Sequence, residues 1–305
     1  MGLSGMFLVC IMGPTGAGKS ASALALAKEF PVCVVNADSR QLYRDFPIIT
    51  AQPTAEEQSV CPHLLYGFLP SEQKLGAGEY ARDAGALVRD ISQNNRLPLL
   101  VGGTGLYFRA LLQGIAPIPQ VPGHIHAYWQ QRCASEGAPA LHAMLCELDP
   151  DYAARIHPND RQRVTRALEV IAATERPFSW WHKQTSPPPQ FGACKIGISL
   201  SLPELEPLLD RRIEAMLEAG ALEEARAAME RCPDPSAPGW TGIGCAELHR
   251  YLNGDISFSQ CRELWRKNTR AYAKRQLTWF RADKDIHWFP PPAHGRRAAP
   301  CARVP

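Results

Sequence analysis

Between Gly13 and Ser20 the chain reads GPTGAGKS, which fits G-x-x-x-x-G-K-[ST]. In such a loop Gly13, Pro14, Thr15, Gly16, Ala17 and Gly18 turn backbone N–H groups into one concavity that cradles phosphate oxygens. Lys19 would bring a point charge to the terminal phosphates, and the Ser20 hydroxyl is placed to ligate Mg2+. The bland alternative is a glycine-rich turn with a surface lysine, but the position between an apolar run and a helical one disfavours it. The loop suits a phosphorylated ligand, ATP among them, and does not choose the reaction. A second feature narrows the choice. The apolar run Leu97–Val101 ends in Gly102-Gly103-Thr104-Gly105, not in the acid that holds the metal in motor and signalling NTPases. The acid stands instead at Asp38, just after Val32–Val35. Ligands meet an open α/β sheet at the C-terminal ends of its strands, so Asp38 is either a turn residue or an acceptor-binding group and general base.

These groups need elements to hold them. Phe7–Ile11, Val32–Val35 and Leu97–Val101 read as short buried strands, and Ala21–Phe30, Gly78–Asn94 and Leu106–Gln113 as helices between and after them. Strands alternating with helices imply a parallel sheet covered on both faces. After Gln113 the prolines 117, 119 and 122 mark a linker, and the pattern stays helical to about Phe191. Asp160 is placed to cap a helix with Val164, Ala167, Leu168 and Ile171 on one face. Pro187–Pro189 closes this region, and Lys195–Leu202 reads as a strand returning to the sheet. Leu205–Arg231, Cys245–Leu252 and Ser259–Trp279 read as helices. The expected architecture is α/β: a P-loop NTPase-like parallel sheet core with an inserted all-helical domain. The core would run over 1–122 and 191–289, the insertion over 123–190, and a disordered Pro/Ala/Arg-rich tail over 290–305.

Lys and Arg number 33 against 30 Asp and Glu, so any nucleic-acid surface must come from where charges sit and not from the total. The segment 262–284 holds eight basic residues and two acidic ones. Arg262, Arg266, Arg270 and Lys274 recur every fourth position and would form one helical stripe, either a solvated face or a phosphate-tracking one. Arg155, Arg161, Arg163 and Arg166 form a second cluster. The ten cysteines show no CxxC spacing, which disfavours a zinc ribbon or redox pair. No apolar run approaches the length that spans a bilayer, and the N-terminus lacks a secretory pattern, so a cytoplasmic protein is expected, a monomer by default and without membrane partners.

The blocks GPTGAGKS, NADSRQLYRDFPIITAQPTAEE (36–57), CPHLL (61–65), LPLLVGGTGLYFRALLQG (97–114), RIHPNDRQRVTRALEV (155–170) and NTRAYAKRQLTWFR (268–281) resemble the bacterial type of the tRNA dimethylallyltransferase family, also called tRNA isopentenyl-diphosphate transferases. The resemblance spans about residues 7–289. It implies transfer of a dimethylallyl group from dimethylallyl diphosphate to N6 of adenosine-37 in the tRNA anticodon stem-loop. The P-loop would then hold a diphosphate leaving group. By the same resemblance Asp38 takes the N6 proton, Thr104 and Arg212 (with Arg211 beside it) assist at the diphosphate, and Mg2+ on Ser20 is the cofactor. The residues implied to meet tRNA are Asp38, Ser39, Arg40, Gln41, His126, Arg161, Gln162, Arg163, Val164, Thr165, Gly242, Ile243, Gly244, Arg270, Lys274, Arg275 and Gln276. The chain departs from the family pattern at Cys245 and Ala246, where an aromatic and a basic residue are usual, at His126, where an Arg is common, and at Ala271, where Gln is usual. The residues alone leave two rivals: a P-loop small-molecule kinase using ATP, and a non-catalytic RNA-binding protein with a relic loop.

Overall fold

A computed structural model describes residues 6–184 and 191–291. The chain divides into two compact units, Met1–Leu112 with Pro189–Pro305, and Gln113–Pro188. The first unit opens with β1 (Met6–Met12), α1 (Lys19–Ala27), β2 (Val32–Asn36), α2 (Ala55–Val60), β3 (His63–Leu64), α3 (Ala77–Gln93), β4 (Leu97–Gly102) and α4 (Gly105–Gln113). The second unit holds α5 (Gly123–Glu136), α6 (Ala138–Leu148), α7 (Pro150–Ala153), α8 (Arg161–Thr174) and α9 (Phe178–Lys183). The chain then returns through β5 (Phe191–Ile198), α10 (Leu202–Glu218), α11 (Ala221–Arg231), α12 (Cys245–Leu252), α13 (Phe258–Arg281) and β6 (His287–Phe289).

All strand pairings are parallel, in the order β3-β2-β4-β1-β5-β6. Alternate side chains feed opposite faces. Leu8, Cys10, Met12, Cys33, Val35 and Leu100 enter one core, while Ile11, Val32, Val34, Leu99, Val101 and Ile198 enter the other. Both faces are thus buried, which is why these strands read as unbroken apolar runs. The strand order has a direct consequence for chemistry. β4 lies between β1 and β2, with Met12 opposite Gly102 and Asn36 opposite Val101. Three turns therefore leave the same edge side by side, the glycine loop and the Asp38 turn flanking Gly103-Thr104. Two strand spacings, about 10 Å, separate the outer pair.

Some expectations shift. The returning strand is Phe191–Ile198, not Lys195–Leu202, because Ser201 and Glu204 form a capping box that starts α10 at Leu202. The helical stretch 205–231 is two helices, broken at Gly220, whose φ of 101° no ordinary helix accepts. The helical unit starts earlier than 123, since Ile118 and Val121 of the proline linker pack on its core. Within that unit Asp160 does cap α8, accepting from the Arg163 N–H at 3.1 Å. The Pro187–Pro189 stop and residues 292–305 of the expected tail lie outside the described residues. No helix among the described residues is long and apolar enough to cross a membrane.

Candidate active site

The glycine loop joins β1 to α1. Gly16 and Gly18 hold φ at 78° and 88°, in the left-handed region that favours glycine. Gly18 caps α1 without a side-chain hydrogen bond, and no acid stands in the first turn. The helix therefore presents unsatisfied N–H groups and its positive end to an anion. Lys19 Nζ donates to the Pro14 carbonyl at 2.8 Å, so its ammonium folds back over the loop. Burial lowers the Lys19 pKa to about 8, with the Asp38 charge raising it and the Arg212 charge lowering it. Arg212, on α10, is likewise pushed down by burial and held up by Asp38. Arg211, beside it, is exposed and bonds the Pro207 carbonyl. Ser20 is exposed on α1 and its hydroxyl has no hydrogen bond to the described residues.

Asp38 leaves β2 through a turn built by Asn36. The buried Asn36 amide donates to the carbonyls of Asp38 (3.0 Å) and Leu65 (2.9 Å), and its Oδ1 accepts the Asp38 N–H at 2.8 Å. Asp38 Oδ1 accepts the Arg40 N–H at 2.9 Å. Its other oxygen, Oδ2, faces Gly103. Thr104 closes the third turn: its N–H bonds the Ala37 carbonyl at 3.0 Å, and its Oγ1 accepts from the Ser39 N–H at 2.9 Å. A Cβ on Gly102 would overlap the Ala37 backbone, which is the physical reason for glycine at the end of β4.

The remaining wall comes from α13. Gln276 is only 4 % exposed. Its Oε1 accepts the Thr15 N–H at 2.9 Å and its Nε2 donates to the Gly103 carbonyl at 2.9 Å. A Cβ on Gly103 would overlap that Nε2. Trp279 lies against Gly105, with the Arg109 guanidinium 5.4 Å from its ring centre. Tyr66 and Tyr272 line the Asp38 surroundings. Burial raises both phenols, and the Asp38 charge raises them further. Reading the sequence alone passes over these tyrosines and Asn36. The signal available for Tyr272 is its i, i+4, i+7 spacing with Gln276 and Trp279, which puts the three on one helix face.

The other residues singled out from the sequence fall elsewhere. Arg40 donates to Thr241 Oγ1 at 2.8 Å and its Cδ lies near Gly242, so Ser39–Arg40 and Gly242-Ile243-Gly244 are brought together. Gln41 is a loop brace, donating to the carbonyls of Thr50 and Ala51 at 3.0 and 2.6 Å. Gln276, expected from the sequence to meet RNA, has both ends of its buried amide bonded to protein. Three members of the stripe are ion-paired within the protein. Arg262 and Arg266 bond Glu214 at 2.6 and 2.7 Å, and Arg270 pairs with Glu206 at 2.7 Å, so α10 supplies the counter-charge. Lys274 and Arg275 stay exposed. In the helical unit Arg161, Gln162 and Arg163 are exposed, but Val164 and Thr165 are buried at 0 % and 1 %, facing the unit's core, so their side chains do not meet a ligand from solvent. His126 is exposed and bonds Glu169 at 2.7 Å. Among the described residues no cluster of three or more His, Cys, Asp or Glu could hold a metal.

A family model described as IPP transferase matches residues 41–283, and one described as isopentenyl transferase matches 6–62. The chain belongs to the tRNA dimethylallyltransferase family. A tRNA dimethylallyltransferase of Nitratidesulfovibrio vulgaris (strain Hildenborough) is 60 % identical over 284 residues, covering 93 % of this chain and 92 % of that one. A full-length tRNA isopentenylpyrophosphate transferase crystal structure from Bacillus halodurans superposes with TM-score 0.67 at 33 % identity, over 93 % of this chain and 90 % of that chain. A eukaryotic dimethylallyltransferase captured acting on tRNA gives TM-score 0.78 at 27 % identity, over 93 % and 73 %.

Proposed function

We infer that the chain transfers a dimethylallyl group from dimethylallyl diphosphate to N6 of adenosine-37 in tRNA, releasing diphosphate. The observation that carries this is the placement of Asp38 and the glycine loop on either side of the β4 turn. Cleavage of the allylic C–O bond leaves negative charge on the diphosphate. Lys19, the loop amides, the α1 N-terminus and Arg212 lie where that charge develops, in a partly buried site that strengthens each contact. The allylic carbon gains cationic character and bonds to N6. The departing N6 proton goes to Asp38 Oδ2, the oxygen not held by Arg40. A stacked base is out of reach of such a site, so the adenine is turned out of the anticodon loop before reaction.

Magnesium fits Ser20 as a site completed by substrate, since its hydroxyl is exposed and without a partner among the described residues. Bound there, the ion would offset charge on the leaving group. The polyanion is met by Lys274 and Arg275 on α13, and by Arg161 and Arg163 in the helical unit. The test uses purified protein, dimethylallyl diphosphate, Mg2+ and an anticodon stem-loop, without ATP. The product nucleoside should carry one dimethylallyl group on N6 of adenosine-37. Phosphate transfer from labelled ATP, with no prenyl transfer, would assign a kinase instead.

A further inference from the structure

We propose that Gln276 is a positioning residue that fixes the glycine loop against the Asp38 turn, so that donor carbon and acceptor nitrogen meet at bonding distance. The proposal rests on the prenyl-transfer reading above. Gln276 stands 261 residues from Thr15 and 173 from Gly103 in sequence, and one carboxamide bonds both. The bond to Thr15 occupies a loop N–H that would otherwise be free to turn toward phosphate. That amide therefore shapes the loop and is not a phosphate ligand. The bond to Gly103 reaches the residue that Asp38 Oδ2 faces, one position before Thr104, whose N–H is tied to Ala37. The chain of contacts runs from Thr15 through Gln276, Gly103 and Thr104 to Ala37 and Asp38. Every link is a hydrogen bond or a covalent bond, so the carboxamide sets the gap between the two reacting partners.

Three features show that the position is built for this amide. The side chain is buried, where an unmatched donor or acceptor is costly, and both its ends are matched. Gly103 has no Cβ, and only that absence lets Nε2 approach its carbonyl. Trp279, three residues on along α13, packs against Gly105 and fixes the helix on the same turn. A misplacement of about 1 Å between reacting groups can lower a rate about 100-fold, while ligand contacts made within one partner persist.

The experiment compares Gln276→Met, which keeps length and loses both hydrogen bonds, with Gln276→Glu, which keeps the acceptor for Thr15 and sets a carboxylate against the Gly103 carbonyl. Inorganic pyrophosphate affinity, stem-loop affinity, melting temperature and single-turnover prenyl transfer are measured for each. The proposal expects pyrophosphate and stem-loop dissociation constants within about threefold of the parent in at least one folded variant, with transfer slowed about 30-fold or more in that variant. It is overturned if transfer stays within about threefold in a folded variant. It is also overturned if the loss of rate is matched by an equal loss of pyrophosphate affinity, which would make Gln276 part of the binding loop only, or if neither variant folds, which would make its role structural. A parent protein that binds stem-loop and pyrophosphate yet transfers no prenyl group would contradict the functional reading, and is distinguished from these outcomes by the parent control.

Discussion

Lys19 Nζ rests 2.8 Å from the Pro14 carbonyl oxygen, folded across its own loop. Burial there brings its pKa down to about 8. Below about 8 the free protein carries the ammonium and meets an anion directly. Above it, binding must draw a proton from solvent, because the anion favours the charged form. Pyrophosphate affinity should therefore fall as pH rises through about 8. Calorimetry at about pH 8.5 in buffers of different ionisation enthalpy should detect proton uptake on binding. A flat profile between about pH 7 and about pH 9.5 would exclude this role for Lys19.

The closeness of Gly102 to the Ala37 backbone makes a second prediction. In Gly102→Ala the added methyl meets main chain, which cannot swing aside as a side chain does. The ends of β2 and β4 must part, at a cost of about 1–3 kcal/mol. Chemical unfolding should show that loss, and prenyl transfer should fall more than pyrophosphate binding. Parental stability would mean that the strand ends yield easily.

The arginine stripe gives a third. Glu214 holds both Arg262 and Arg266. Glu214→Ala releases two guanidinium groups, so RNA binding should tighten at low salt and become more salt-dependent. Lys274→Ala and Arg275→Ala remove exposed cations. Each should weaken stem-loop binding and reduce the log–log salt slope by about 0.7–0.9. Equal losses from Arg262→Ala and Lys274→Ala would contradict the pairing seen between α10 and α13.

Within the helical unit, Glu169 is buried and accepts from His126 at 2.7 Å, Arg166 at 3.3 Å and Gln130 at 3.4 Å. Glu169→Ala removes the charged acceptor of all three hydrogen bonds and should cost about 1–3 kcal/mol. Denaturant unfolding followed by tryptophan emission reads that loss. No change would show that water replaces the carboxylate without penalty.

How much of this was legible in the sequence depends on how local each signal is. β1, β2 and β4 are readable because both their faces are buried, giving unbroken apolar runs. The loop and Asp38 are readable because each sits at the end of such a run. β3, with two residues, and β6, with three, are too short for any periodicity to show. The Arg262–Lys274 spacing is visible, yet the sequence offers no way to see that Glu206 and Glu214 on another helix face it. The role of Gln276 is hidden for the same reason. Its partners Thr15 and Gly103 lie far away along the chain, and an amide next to Lys274 and Arg275 looks like part of an RNA surface. Val164 and Thr165 fall inside a block that reads as RNA-facing, although Val164 also belongs to the apolar face that closes on the unit's core.

The most direct measurement is single-turnover prenyl transfer by Asp38→Asn, with pyrophosphate and stem-loop affinities determined on the same preparation. The substitution keeps an oxygen for the Arg40 N–H and removes the base. Transfer should slow by about 100- to 10,000-fold while both affinities stay within about threefold. Transfer within about threefold of the parent would mean that the N6 proton leaves by another route and that Asp38 is not the base.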